Sequence, residues 1–290
     1  MVETIKVVDK IVEKDLRFSI LIPSWNNLEF LKLCVSSIRN NSSFNHQIII
    51  VINEGNDGSL EWVDKQNDLD YIYSKTNIGI CYGLNSSRSL IKTNYVVYAN
   101  DDMYFLPDWD SEINNQIKEI GHDNFMLSST MIEPTETGNP CVIVADYGDS
   151  LSNFQEEKLL REYRGFEKKD WSGSTWPPNV LPLKLWDLVG GMSTEFSPGF
   201  YSDPDLSMKL WKLGVRYYKG VGNSRVYHFG SKSTKRIKMN KGKKLFLNKW
   251  GVTSNFFNTN FLKRGSDFKV LTEPTISKWD NFINNLKKYI

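Results

Sequence analysis

Along the first hundred residues, short apolar runs that each end in a polar or turn-forming cluster alternate with stretches whose apolar positions repeat at helical spacing. Phe18-Ser-Ile-Leu-Ile-Pro23 is the first run, Gln47 to Ile52 the second, Tyr71 to Tyr73 a weaker third, and Tyr95 to Ala99 the fourth. Between them, Leu28 to Arg39 sets Phe30, Leu31, Cys34, Val35 and Ile38 close to a helical period, and Ile78 to Ile91 reads as a helix with a glycine-rich start. β-rich runs alternating with helical patterns predict βαβ units and a mostly parallel sheet, an α/β fold. Several of these strands end in polar or acidic residues, so their ends can build one shared crevice.

The second half is less regular. Phe125 to Met131 and Cys141 to Ala145 read as strands, and the highly charged Ser150 to Asp170 as an exposed helix and loop. Trp171 to Pro178 is rich in turn residues and carries two tryptophans. Leu183 to Val189 predicts a helix closed by Gly190-Gly191, and Leu206 to Leu213 another closed by Gly214. Val226 to Phe229 returns as a strand, Lys232 to Lys249 is a basic run, and the last forty residues carry no motif. No internal repeat is present.

The fourth run stops at Asn100-Asp101-Asp102. Two adjacent carboxylates repel unless a cation or a proton relieves them. Mg²⁺ or Mn²⁺, with a diphosphate supplying further oxygen ligands, would do so. An ordinary turn after a strand accounts for the same residues, since Asn and Asp are common there. On this segment alone both readings stand.

Composition narrows the setting. A chain of 290 residues suits one large domain or two closely joined halves, and a formal charge of +2 gives no global case for nucleic acid. The supply of aromatics (9 Trp, 13 Tyr, 16 Phe) serves a core and also clefts that stack on bases or sugar rings. Cys34, Cys81 and Cys141 are widely spaced and odd in number, which fits neither a metal pattern nor a disulfide framework and favours a reducing compartment. The opening MVETIKVVDKIVEKD lacks the apolar centre of a signal peptide, and no window reaches the roughly 20 apolar residues of a membrane span. A cytoplasmic protein with at most peripheral membrane contact is the expectation.

The order of these segments resembles the family-2 glycosyltransferases with the GT-A fold, over roughly residues 17 to 251. Ser19-Ile-Leu-Ile-Pro-Ser-Trp-Asn26 is similar to the family's opening strand and nucleotide-side loop, and Ile49 to Ser59 to its second strand, with Asn53 where the family usually has Asp. Asn77-Ile-Gly79, Gly83 and Asn85 match the Asn-x-Gly segment, and Asn100-Asp101-Asp102 stands at the Asp-x-Asp-type motif. Gly190-Gly191, Ser202-Asp-Pro-Asp-Leu206 and His228 match the acceptor half, with Ser202 in place of the usual Glu. Lys249-Trp250-Gly251 matches a frequent C-terminal element.

The resemblance implies a Rossmann-like, mostly parallel central sheet flanked by helices, with a smaller acceptor-side region. The expected division is a charged leader (1–16), a nucleotide-sugar half (17–115), an acceptor and catalytic half (116–230), and a basic segment with a helical tail (231–290). It implies an inverting transfer from a UDP-, GDP- or dTDP-linked sugar to a glycan or glycolipid hydroxyl, assisted by Mn²⁺ or Mg²⁺. By the same resemblance, Asp102 and His228 hold the metal, and Asp101 joins them or contacts the donor's ribose and sugar. Asp203 is the general base; Asp205, at a helix start where an acid suits the dipole, is the alternative. Pro23, Ser24, Trp25, Asn53, Glu54, Asn77, Gly79, Asn85 and Asn100 are expected with Asp101 on the nucleotide sugar.

Trp171, Trp176 and Tyr201 are candidates for stacking on a sugar face, while Trp186 and Trp211 fall in helical patterns that predict core. His46 and His122 lie in predicted loops without a role. The basic run from Lys232 to Lys244 either closes over an anionic group or is a solvated face. A nucleotidyltransferase is disfavoured, because Pro23-Ser-Trp-Asn-Asn27 has neither the glycines nor the cation such enzymes place after their first strand. A non-catalytic carbohydrate-binding scaffold is the alternative that Asn53 and Ser202 leave open.

Overall fold

The structure, a computed structural model, describes residues 4–230 and 241–288. Its strands are β1 (Lys6–Val8), β2 (Ser19–Trp25), β3 (Gln47–Asn53), β4 (Leu69–Ser74), β5 (Tyr95–Tyr98), β6 (Met103–Phe105), β7 (Phe125–Glu133), β8 (Ile143–Val144), β9 (Trp171–Ser172), β10 (Asn179–Pro182) and β11 (Tyr217–His228). The helices are α1 (Leu28–Asn41), α2 (Ser59–Asp64), α3 (Gly79–Ser86), α4 (Trp109–Ile120), α5 (Glu156–Glu162), α6 (Leu183–Val189), α7 (Ser202–Lys212), α8 (Gly242–Trp250), a short α9 (Ser254–Phe256) and α10 (Lys278–Leu286).

One sheet runs through the molecule in the order β1-β4-β3-β2-β5-β10-β7-β11-β6. Strands β4, β3, β2 and β5 are mutually parallel, as are β7 and β11. Between these groups β10 is antiparallel to both β5 and β7, so all six point the same way. The expected mostly parallel α/β sheet is therefore present, with antiparallel strands at both edges and at β10.

Strands buried on both faces carry apolar residues at every position, each alternate side chain serving a different layer. Ile20, Ile22, Ile48, Ile50 and Ile52 join α1 and α4 through Cys34, Val35, Trp109 and Ile113. Leu21, Ile49 and Val51 face the other way, toward Leu84 of α3, Trp186 of α6, Trp211 of α7 and Phe257 of the tail. Trp186 and Trp211 are core residues, as their spacing predicted.

Three expectations change. The charged leader contributes β1, which pairs with β4, and the amides of Lys10 and Ile11 donate to the buried Asp70 at 2.6 and 2.9 Å. The division after residue 115 falls inside α4, and the halves share a continuous sheet. The strand expected from Val226 begins at Tyr217. Its polar start was hidden by Gly220 and Gly222; a Cβ on Gly220 would lie 1.8 Å from the Trp171 ring, so only glycine allows β9 to pack there. Among the described residues no helix is long and apolar enough to cross a membrane.

Candidate active site

The carboxyl ends of the co-directional strands open onto one cleft of about 520 Å³. Such a crevice is where α/β sheets bind ligands, because the loops that follow each strand converge there. Pro23, Ser24 and Trp25 arrive from β2, Asn53 from β3, Asn100 to Asp102 from the turn after β5, Glu133 from β7 and His228 from β11.

Asp102 and His228 are brought together by strand pairing. Register sets His228 opposite Met103, and the Phe229 amide donates to the Asp102 carbonyl at 3.2 Å. The His228 Nε2 and Asp102 Oδ1 atoms are 3.5 Å apart, too far for a good hydrogen bond, and Nε2 is buried without a hydrogen-bond partner. On the other side of the ring, Nδ1 lies 2.9 Å from Glu133 Oε1. Burial pulls the imidazole pKa down, but the Asp102 and Glu133 carboxylates outweigh it and hold it at about 10.

This arrangement fits a divalent cation. Two ligands about 2.1 Å from one ion at right angles stand roughly 3 Å apart, close to the separation seen. A cation at Nε2 would displace the proton that the two carboxylates hold there, and the Glu133 carboxylate on the far ring nitrogen would keep the ring oriented. Among the described residues no group of three or more His, Cys, Asp or Glu side chains could hold a metal. The corner would thus supply two ligands and leave the others to substrate and water, as Mg²⁺-type sites commonly do.

The two candidate bases separate cleanly. Asp205 is fully buried, and Ser193 Oγ at 2.5 Å, Trp250 Nε1 at 2.8 Å and Lys249 Nζ at 2.9 Å all engage its carboxylate. Its role is to pin α8 to α7, which also accounts for the Lys249-Trp250-Gly251 element. Asp203 lines the cleft, and its carboxylate has no hydrogen-bond or ion-pair partner among the described residues. Burial pushes that carboxyl up to about 7. The residue before the helix, Tyr201, sits in the left-handed region at φ 72°, uncommon for a bulky side chain, and it too lines the cleft. Ser202, where the family has Glu, donates its hydroxyl to the Gly199 carbonyl at 2.6 Å.

On the nucleotide side, Asn53 Oδ1 accepts from the Ile78 amide at 3.0 Å, which fixes the Asn77–Gly79 turn beside β3. Asn77 Oδ1 in turn accepts from the Gly79 amide at 2.8 Å. Ser24 Oγ is buried without a partner among the described residues, a polar group facing a cleft it helps to line. Two expected members of this set lie off the cleft wall. Asn85 spends both ends of its amide on the Met192 backbone, at 2.8 Å each, and so clamps the Gly190-Gly191 turn. Glu54 Oε2 accepts from Asn26 Nδ2 at 3.0 Å and stabilises the loop.

Of the aromatic candidates, Trp176 and Tyr201 line the cleft. Trp171 is buried and donates to Thr130 Oγ1 at 2.9 Å. His46, left without a role, bonds the buried Asp110 at 3.0 Å. The first half of the basic run, residues 232–240, lies outside the described residues, while Lys249 at its end is committed to Glu195 and Asp205.

Glu133 and Arg264 were missed. Glu133 was legible, since Ile132-Glu133 repeats the pattern of an apolar run ending in a carboxylate. Arg264 comes from a tail without a motif, and only the fold brings it to the cleft.

Residues 19–172 match the family described as glycosyl transferase family 2. A hyaluronan synthase of Pasteurella multocida is 23% identical over 244 residues, which is 81% of this chain and 23% of that protein. A chondroitin synthase of the Pm70 strain is 23% identical over 223 residues, 76% of this chain and 21% of its own. The chain thus spans under a quarter of the length of these relatives. Among solved structures, residues 1–349 of S. aureus TarS in complex with UDP-GlcNAc superpose with a TM-score of 0.57 at 13% identity, covering 81% of this chain and 66% of that one. GalNAc-T7 with UDP, GalNAc and Mn²⁺ does so at 0.55 and 13%, covering 79% and 45%. At such identities the likeness establishes the GT-A fold.

Proposed function

This chain belongs to glycosyl transferase family 2, and from that premise we propose that it transfers a sugar from a nucleoside-diphosphate donor to a glycan hydroxyl with inversion at the anomeric carbon. One observation carries the reading: an unpartnered carboxylate, Asp203, shares a cleft with the Asp102–His228–Glu133 corner. The UDP and UDP-GlcNAc bound to structural neighbours support a nucleotide-sugar donor, and the polysaccharide synthases among the relatives support a glycan acceptor.

Each residue then has a task. Pro23, Ser24, Trp25, Asn53 and Asn77 bind the nucleotide end, where Ser24 Oγ has no partner to give up among the described residues. Asp101 contacts the donor's ribose and sugar. Asp102 and His228 would hold Mn²⁺ or Mg²⁺, with Glu133 fixing the orientation of the His228 ring. The cation, when bound, neutralises charge on the departing diphosphate. Asp203 accepts the proton of the acceptor hydroxyl, and a carboxyl held near 7 is a far better base at neutral pH than an ordinary Asp. Tyr201 and Trp176 line the path by which a sugar reaches Asp203.

The test uses the full chain, a panel of nucleotide sugars and Mn²⁺, and follows release of the nucleoside diphosphate with and without oligosaccharide acceptors. Asp102→Ala and Asp203→Asn are each expected to lose about 10²–10⁴-fold in turnover. Absence of both turnover and calorimetric nucleotide binding in the wild type would leave the carbohydrate-binding scaffold as the correct description.

A further inference from the structure

Arg264 is the only Lys or Arg on the cleft wall among the described residues, and it faces four carboxylates lining the same space: Asp101, Asp102, Glu133 and Asp203. Its guanidinium lies 4.1 Å above the Trp176 ring. Among the described residues the guanidinium makes no ion pair or hydrogen bond; its stacking on Trp176 is its one contact with a ring. A guanidinium stacked on an aromatic face keeps its N–H edges free and oriented, the geometry that grips a carboxylate or phosphate with two parallel bonds. Burial already pulls its pKa below the usual arginine value, so an anion here would relieve a desolvated charge.

The position is built into the fold. Gly265 donates to the Ser172 carbonyl at 3.0 Å and Ser172 donates to the Ser266 carbonyl at 2.9 Å, which straps the tail along β9. Gly173 lets the Arg264 backbone approach so closely that a Cβ there would lie 2.7 Å from its Cα. This wall comes from the 171–176 segment and the tail, apart from the nucleotide-side residues of β2 and β3.

We propose that Arg264, seated on Trp176, is an acceptor subsite for a negatively charged group, a carboxylate or phosphate borne by the acceptor close to the hydroxyl that is glycosylated. The subsite rests on the transferase reading for its purpose. It favours charged over neutral acceptors, because an anion there would pair with a guanidinium that makes no ion pair among the described residues.

The experiment compares three probes by calorimetry in the presence of UDP and Mn²⁺: an oligosaccharide ending in a uronate, the same oligosaccharide with that carboxyl reduced to an alcohol, and a polyol-phosphate oligomer. Wild type should bind the uronate or the phosphate oligomer about 10- to 100-fold more tightly than the neutral probe; whichever is preferred names the source of the charge. Arg264→Met keeps a stem on Trp176 and should erase that preference. Arg264→Lys should restore part of it, and UDP affinity should stay within about twofold of wild type, with thermal melts confirming that both variants fold. No preference for either charged probe in the wild type overturns the proposal. An equal loss of UDP affinity in Arg264→Met also overturns it, by making Arg264 a donor contact. Transfer to neutral acceptors as efficient as to charged ones would sink the subsite and leave the transferase intact. A charge preference lost in Arg264→Met without turnover on any donor would do the reverse.

Discussion

At the scale of single residues, the cleft is organised by which polar groups are already satisfied. Asp203 and Asp205 differ by one turn-forming position, yet only one has a free carboxylate. Asp205→Asn should lower Tm, because its charge faces Lys249, Ser193 and Trp250 inside the protein, while Asp203→Asn should cut transfer about 10²–10⁴-fold and raise Tm at neutral pH. Activity of the wild type should rise with pH through about 7 and that limb should vanish in the Asn variant. Stability should respond with the opposite sign. The Asp203 carboxyl is raised from the usual 3.8 to about 7, so the folded state holds its proton more tightly, and this group destabilises as pH rises through that window. Glu133→Gln tests the orientation of His228. Mn²⁺ affinity measured by electron paramagnetic resonance should fall about 10- to 100-fold, and an unchanged affinity would remove Glu133 from the site.

At the scale of elements, the corner depends on how strands and turns are clamped. The β6–β11 pairing alone puts Asp102 beside His228. On the opposite wall, Gly79 has φ +77° and a Cβ there would lie 2.3 Å from Ser197 Oγ and 2.8 Å from Pro198 Cα. Gly79→Ala should therefore destabilise by about 1–3 kcal/mol in urea titration and weaken nucleotide binding as the Asn77 turn shifts. Lys249→Met removes a partner of the fully buried Asp205 and should cost about 2–3 kcal/mol. Transfer at temperatures well below the melt should persist, which would separate Lys249 from any contact with a diphosphate. Much of this layer was readable from residue order. Asn77, Gly79, the Asp pair, Ser202 and Asp203 all line the cleft. Asn85 was misread because an amide after a glycine-rich turn serves equally to bind a ligand or to clamp backbone, and its sequence neighbours do not say which.

At the scale of the whole molecule, the sheet is continuous across the expected boundary. Residues 17–115 alone would lose β10 from the edge of β5 and end within α4. That fragment should stay unfolded by circular dichroism and near-ultraviolet signal, whereas a native-like spectrum would show the nucleotide half to be autonomous. The alternation of apolar runs and helical periods determined the α/β class, because burial on both faces of a parallel strand demands apolar residues throughout and leaves a local signature. It also determined where strands end, and hence most cleft residues. Three things waited for the tertiary structure: the partners that engage the Asp205 carboxylate, the bond from Glu133 to His228, and the arrival of Arg264 on Trp176. Each depends on groups 45 or more residues apart meeting in space. Hydrophobic period records which face a residue turns to the core; it carries no record of which distant polar group will meet it there.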